Sequence, residues 1–465
     1  MQSNEGFEHS KWSSEWAFLL AAIAYAIGLG NIWRFSYVVG VNGGGGFIMI
    51  YLGCVFLIGL PLLLCDFVIG RRGMGSPPVS IAATARSSGK STKWSALGWM
   101  GLFNGFLVLS YYSVIAGWTI AYFVKATAGD MPATIEESNM AYDGLLGDPW
   151  ALTFWHTLFI GGVAVVSAFG LQNGIERMVK VAMPIFCLLL LALVGYGAVA
   201  GDMVAALQFL FIPRFEDIDL GVAGQALGQA FFSIGMGAGA LMIYAAYIPK
   251  EVSLRKTGTI IVIGDSLAAM IGGLAIYPLL FGTGLEADQG PGLVFKTLPL
   301  ALESLPGGLL VGGTFFFLLA VAAYTSALGL LEPVVAWAEE HKGVKRWVSS
   351  AFVAGCAWII GLATVLSFNE WNDFFPLDFI GVFEGKTIFG IFDFAMSNLF
   401  LPLSGLGLAV FSGWVLDKKI ASEELELSVS SPLFRFWYLM VKWVIPAVMI
   451  ALLFSLLFTG AEGGG

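Results

Sequence analysis

Asp265 stands in GDSLAAMIGG, inside a run that is otherwise apolar from 257 to 283. A carboxylate in such a run costs about 2.5–3.5 kcal/mol to place in hydrocarbon, so it reads as functional, with a structural or snorkelling aspartate as the alternative. Two glycine clusters carry a second chemistry, Ala24-Tyr25-Ala26-Ile27-Gly28-Leu29-Gly30-Asn31 and Ser233-Ile234-Gly235-Met236-Gly237-Ala238-Gly239. Each glycine weakens a helix by about 1 kcal/mol relative to alanine, so the clusters invite unwinding. An unwound stretch bares amides that favour anions and carbonyls that favour cations. Glycines that only permit close helix packing are the competing reading. Enzyme chemistry finds no comparable support. His9, His156 and His341 are scattered, and no metal-ligand set or nucleophile triad is present. Cys54, Cys65, Cys187 and Cys356 all lie in apolar runs, with no metal spacing and no disulfide framework.

The elements that position these groups must sit in lipid. Of 465 residues, 58% are apolar and 12% charged, and mean hydropathy is +0.83; a water-soluble fold could not hide that surface. A net charge of −9 and the lack of a basic tract argue against nucleic acid. The N-terminal MQSNEGFEHSKW lacks a cleavable-signal pattern, so the first apolar run is expected to remain. Runs of about 20 apolar residues give eleven spans, at 14–39, 45–70, 95–126, 151–168, 176–200, 223–248, 257–283, 308–338, 348–367, 387–416 and 436–459. Arg71, Arg72, Arg86, Lys90, Lys93, Arg177, Lys180, Lys250, Arg255, Lys256, Lys342, Lys345, Arg346, Lys418, Lys419 and Arg435 fall in alternate loops; the opposite loops hold Lys125, Arg214, Lys296 and Lys386. That asymmetry orients the chain in a plasma membrane with a cytoplasmic N-terminus and an outward-facing GAEGGG tail. The glycine clusters fall in spans 1 and 6, five apart. That spacing implies an all-α membrane protein in which spans 1–5 and 6–10 form a 5+5 inverted repeat, each opening with a helix unwound at mid-membrane. The expected division is 1–200 for the first repeat, 201–417 for the second, and 418–465 for span 11 and tail.

Several segments carry a resemblance. GLGNIWRFSYVVGVNGGGGF at 28–47, LSYYSVIAGW at 109–118, GIERMVKVAMP at 174–184, GQAFFS at 228–233 and TSALGLLEP at 325–333 are similar to motifs of the neurotransmitter:sodium symporters, in the bacterial amino-acid branch that includes the bacterial leucine transporter. The likeness runs from about Trp12 to the end. It implies sodium-driven symport of a small amino-acid-like zwitterion by alternating access.

Site residues follow from the resemblance. Amides of Leu29 and Gly30 and the Tyr112 hydroxyl would hold a substrate carboxylate; carbonyls of Ala26, Phe232 and Ser233 would hold its ammonium. Tyr25, Val108, Gly235, Ala238, Ser326 and Leu330 would line the side-chain pocket. Two Na+ ions are implied, the first on Ala26, Asn31, Ser233, Asp265 and the substrate itself, the second on Ala24, Ile27, Ala322, Thr325 and Ser326. Oxygen ligands suit a hard cation, and a ligand shared with the substrate would couple the two binding events. Animal members bind chloride through residues matching Tyr51, Gln229 and Ser233; Asp265 resembles a fixed anion in its place, so no chloride is expected.

Arg34 and Asp393 would form the outer gate over Phe232, and His9 or Lys11, with Trp12, Tyr247 and Glu340, the inner one. Family members commonly carry arginine where this chain has His9. Gly174 and Pro184 have the spacing of relatives whose fifth helix can unwind. Gly28 stands where monoamine carriers have aspartate, so the solute should bring its own carboxylate. Small Gly235 and Ala238 open space for a bulky neutral α-amino acid, while Tyr25 keeps a GABA-, taurine- or betaine-type solute in play. A sensor with little transport, and an ion channel, are the alternatives of other classes. Oligomeric state and proton counter-transport are not legible.

Overall fold

The computed structural model describes residues 11–214, 216, 218–285 and 290–459. His9 and the 460–465 tail lie outside these residues. Among the described residues every regular element is helical, as the hydrocarbon interior demands of a chain that must satisfy its own backbone.

Among the described residues nine unbroken helices are long and apolar enough to cross a membrane: 45–73 (span 2), 92–128 (span 3), 149–168 (span 4), 171–200 (span 5), 254–282 (span 7), 308–342 (span 8), 346–366 (span 9), 388–415 (span 10) and 432–454 (span 11). Span 1 is a bent pair, Glu15–Ala26 and Gly30–Val41, meeting at 50°. Span 6, expected to be unwound at mid-membrane, is two shorter helices, Leu220–Ile234 and Ala240–Ala246. Among the described residues the crossings long enough to pass alone are nine, or ten with the bent pair, and span 6 is the remaining segment, interrupted by its glycines. Gly235, Gly237 and Gly239 have φ of +69°, +78° and +77°, a region closed to most side chains. A Cβ on Gly237 would stand 2.7 Å from Ser404 Cβ.

Span 5 starts at Leu171, five residues ahead of the expected 176, as a widened turn over Leu171–Glu176. There Gly174 packs against the Val166 carbonyl of span 4, too closely for any side chain.

Spans 3 and 8 are the most enclosed, with 78% and 72% of their most apolar windows buried; spans 4, 5 and 11 are the least, at 33% each. The broken spans lean on this centre. Glu15–Ala26 packs on spans 8 and 7, Leu220–Ile234 on the first half of span 2, and Ala240–Ala246 on its second half.

One ion pair closes the end of span 8 at which the N-terminal segment packs. The Arg346 guanidinium grips both oxygens of Glu332, donates to Glu339 at 2.9 Å, and donates to the Ser167 carbonyl at 2.8 Å. The Glu332 side chain is wholly buried and that of Arg346 is 15% exposed. Removing one partner leaves a buried charge uncompensated, which costs about 3–5 kcal/mol. Arg346→Gln should therefore lower thermal stability in detergent markedly, and adding Glu332→Gln should recover most of the loss. An undiminished melting temperature in Arg346→Gln would show that the pair does not support the fold.

Candidate functional site

The two helix breaks open on one cavity. Its wall contains Tyr25, Ala26, Gly28, Gly30, Val108, Tyr112, Phe232, Ser233, Gly235, Ala238, Ser326, Leu330 and Leu401. Eleven of the twelve residues expected around a solute stand in that wall. The twelfth, Leu29, turns its amide to the Tyr112 hydroxyl at 3.3 Å, while the residue itself lines a second cavity further along. Spans 1, 3, 6 and 8 thus meet where spans 1 and 6 lose their helical hydrogen bonds.

The backbone freed at the breaks is held by side chains. Ile27 is extended (ψ 101°) and ends the first helix. The Gly28 amide donates to Asn31 Oδ1 at 3.0 Å, and the Gly30 carbonyl accepts from Gln229 Nε2 at 2.8 Å. In span 6 the Gly235 carbonyl accepts from the Tyr25 hydroxyl at 3.0 Å. The Gly237 carbonyl accepts from Asn104 Nδ2 at 3.1 Å. The expectation that Gly235 opens space for a solute side chain needs correcting on this geometry. A Cβ there would collide with the Tyr25 ring, and so would one on Gly329. The missing side chain makes room for Tyr25.

Asn31, Ser233 and Asp265 form a buried oxygen-rich cluster behind the cavity, each no more than 2% exposed. Asn31 Nδ2 donates to Asp265 Oδ1 at 2.6 Å and to Ser233 Oγ at 3.0 Å. Ser233 Oγ donates to the Asp265 carboxylate at 2.9–3.0 Å, and the Tyr51 hydroxyl reaches Ser233 Oγ at 3.2 Å and Asp265 Oδ2 at 3.5 Å. A carboxylate with several donors stays hydrogen-bonded without water, which is the condition for retaining its charge in the interior.

A second group of oxygens bridges spans 1 and 8. Ser326 Oγ donates to the Tyr25 carbonyl at 2.8 Å and lies 3.4 Å from the Ile27 carbonyl. Thr325 Oγ1 donates to the Ala322 carbonyl at 3.0 Å. Ala24 is fully buried in the last turn before the break. Thr325 thus uses the Ala322 carbonyl of the expected set, whereas the shorter bond of Ser326 goes to Tyr25, outside that set. The set is oxygen alone, as a hard cation requires.

Arg34 and Asp393 both line the second cavity, yet among the described residues they form no ion pair with each other. Arg34 donates to Gln229 Oε1 at 3.1 Å and lies over the Phe232 ring at 4.7 Å. Phe232 and Tyr112 belong to the walls of both cavities and divide them.

At the N-terminal end of span 1 Trp12 is buried (3% exposed) and its indole donates to the Tyr244 carbonyl at 3.0 Å. Neighbouring Ser13 binds Glu176 through its amide at 3.0 Å and through its hydroxyl. Lys180 donates to the same carboxylate at 2.5 Å, and the Lys11 carbonyl accepts from Gln172 at 2.7 Å. The N-terminal segment is thereby tied to the start of span 5 and to the second half of span 6. Tyr247 turns its hydroxyl to Glu332 at 3.4 Å, and Glu340 accepts from the Ser76 amide and hydroxyl at 2.8 and 2.6 Å. Those two residues of the expected inner gate face different partners.

Sequence reasoning missed Asn104, Leu401, Glu332 and Arg346. Glu332 and Asp66, the latter 2% exposed in span 2, are acidic residues inside spans, so the rule that singled out Asp265 applied equally to them. Nothing local marked Asn104; its role appears only when spans 3, 6 and 10 meet, where it also donates to Ser404 Oγ at 2.8 Å.

Comparison with known proteins covers these helices from end to end. The family model described as the sodium:neurotransmitter symporter family matches residues 9–143 and 146–461. The chain is 32% identical to YhdH, a sodium-dependent transporter of Bacillus subtilis, over 96% of this chain and 97% of that one. It is 31% identical to a sodium-dependent transporter of Haemophilus influenzae, over 97% and 99%. Its fold superposes on the crystal structure of MhsT in complex with L-phenylalanine with a TM-score of 0.88 and 36% identity, covering 98% of this chain and all of that one. The relatives are transporters, not enzymes. A match of this extent, across the helices that build the cavity and the oxygen cluster, makes this multi-pass membrane protein a member of the sodium:neurotransmitter symporter family.

Proposed function

We propose that the chain is a sodium-coupled symporter of a small neutral α-amino acid, working by alternating access without chloride, with its N-terminus in the cytoplasm. The observation that carries this reading is the pair of helix breaks facing one cavity, backed by a buried cluster of oxygens around Asp265. The substrate carboxylate would sit between the Leu29 amide and the Tyr112 hydroxyl, now in contact with each other. Its ammonium would meet the carbonyls of Ala26, Phe232 and Ser233. MhsT, whose crystal structure holds L-phenylalanine, supports an amino acid as the solute class.

The first sodium would bind beside Asn31, Ser233 and Asp265 and share the substrate carboxylate, so that each raises the other's affinity. The second would draw the Thr325 and Ser326 hydroxyls to the carbonyls of Ala24, Ile27 and Ala322, joining spans 1 and 8. Asp265 supplies a fixed negative charge at the place where a chloride would otherwise neutralise the cations. Phe232 and Arg34 would close the cavity outward, with Asp393 joining when the outer cavity narrows. The N-terminal segment around Trp12 would close it inward.

A GABA-, taurine- or betaine-type solute is the second reading, favoured by one observation: Tyr25 fills the space beside Gly235 and shortens the cavity. A thermal-shift screen of both solute classes, with and without sodium, separates the two, because a ligand that binds only the folded state raises its stability. A neutral α-amino acid should stabilise the protein only in sodium, and replacing chloride by gluconate should leave sodium-driven uptake into proteoliposomes unchanged. Stabilisation by the osmolyte class alone, or collapse of uptake without chloride, would overturn the corresponding part.

Tyr112→Phe removes a hydrogen bond to a charged group worth about 1.5–3 kcal/mol. Apparent solute affinity should fall roughly tenfold to a hundredfold; an unchanged value would count against the carboxylate position. Thr325→Ala combined with Ser326→Ala should raise the sodium concentration for half-maximal uptake by about tenfold or more. Retained sodium dependence would move the second ion elsewhere.

A further inference from the structure

Spans 10 and 11 end together on the membrane face where Arg71 and Arg72 emerge, since Glu424 and Glu423 of the loop between them bind those two arginines. Beside this loop is an open cavity of about 520 Å³ lined by Lys418, Ser428, Ser430, Phe434, Arg435 and Tyr438. Lys418, Arg435 and the nearby Lys442 take part in no ion pair among the described residues, while the loop's own acids are engaged or stand apart. Glu423 and Glu424 are committed to arginines, Asp417 accepts from the Lys419 amide at 2.9 Å, and Glu426 lies outside the cavity wall.

Aromatic rings fix these cations in place. Lys418 Nζ lies 4.4 Å from the centre of the Tyr438 ring and Lys442 Nζ 5.5 Å from the same ring. Lys442 also faces Trp414 and Trp443, at 5.9 and 5.7 Å. The Tyr438 hydroxyl donates to the Gly413 carbonyl at 2.7 Å, and a Cβ on Gly413 would stand 2.8 Å from Lys442 Cα. That close crossing is what brings the lysine of span 11 over the tryptophan of span 10. On the adjacent face of span 11, Phe436, Leu439 and Trp443 are 48%, 52% and 56% exposed and turn an apolar surface outward.

We propose that this cleft between spans 10 and 11 binds the headgroup of an anionic phospholipid, with its phosphate among Lys418, Arg435 and Lys442 and its acyl chains along Phe436, Leu439 and Trp443. Cations without partners above exposed apolar and indole side chains match a molecule that is anionic at one end and aliphatic at the other. The serines at 428 and 430 add donors for the glycerol or phosphate oxygens. A soluble anion would leave the apolar half of the site unused.

The test uses the full-length protein in nanodiscs of phosphatidylcholine with a minor fraction of phosphatidylglycerol, reading retained lipid by native mass spectrometry and stability by melting. Phosphatidylglycerol should be retained preferentially, with a preference falling roughly fivefold per cation removed and weakening with salt. Lys418→Gln with Arg435→Gln should abolish most of it, whereas Lys90→Gln with Lys93→Gln elsewhere on this face should leave it intact. Melting of the first variant in pure phosphatidylcholine should match the parent; if it does not, Lys442→Gln carries the same test. Equal retention of both lipids by the parent protein, or a preference that survives the substitutions, would overturn the proposal. Inorganic phosphate should not reproduce the lipid's stabilising effect; if it does, the cleft is a soluble-anion site and the lipid assignment fails.

Discussion

Hydrocarbon offers no hydrogen bonds, so every backbone group released inside the membrane must find a partner within the protein. Spans 1 and 6 both release such groups, and the arrangement around them follows from that need. The Gly30 carbonyl is met by Gln229, the Gly235 carbonyl by Tyr25, the Gly237 carbonyl by Asn104, and the Gly28 amide by Asn31. Three of these four partners come from a different span. A broken helix is therefore not a property of its own segment. It exists because neighbours in spans 1, 3 and 6 supply donors and acceptors in the places that water would otherwise fill.

The same partners put the two broken spans in mechanical contact. Asn31 of span 1 touches Ser233 of span 6 and Asp265 of span 7 at once. Gln229 of span 6 binds both the Gly30 carbonyl and Arg34. Movement of either break must rearrange groups that also define the cavity and its outer cover. At the other end the residues around Trp12 are bonded to spans 5 and 6 together, so release of that segment would free both. Buried hydrogen-bonded contacts of this sort have discrete arrangements rather than a continuum, which suits a transporter that must be open to one side at a time.

Several features were legible without coordinates because they depend on residue type alone. Glycine-rich interruptions announced both breaks, and the carboxylate of Asp265 declared itself by its cost in lipid. The resemblance carried by the five motifs named eleven of the residues that line the cavity. What failed to show depended on geometry between helices. Gly235 read as vacant space, yet Tyr25 occupies it. Arg34 was legible as a gate residue beside Asp393, but its contacts with Gln229 and the Phe232 ring were not. Glu332 lies inside span 8 and Arg346 read as a loop cation; that the two, fourteen residues apart, form an enclosed pair appears only in the structure.

Residue types and run lengths alone require that the chain lives in lipid as a bundle of helices, that two of those helices break, and that oxygen-bearing side chains accompany the breaks. Apolar run length, backbone entropy at glycine and the cost of a buried charge act locally, so a linear reading can assess them. Which freed carbonyl pairs with which side chain, where Tyr25 ends, and that a loop lysine and a span 11 lysine converge around Tyr438 appear only once the helices are packed. Those outcomes depend on distances between helices. Such distances are fixed by the packing of the whole bundle, and no single segment encodes them.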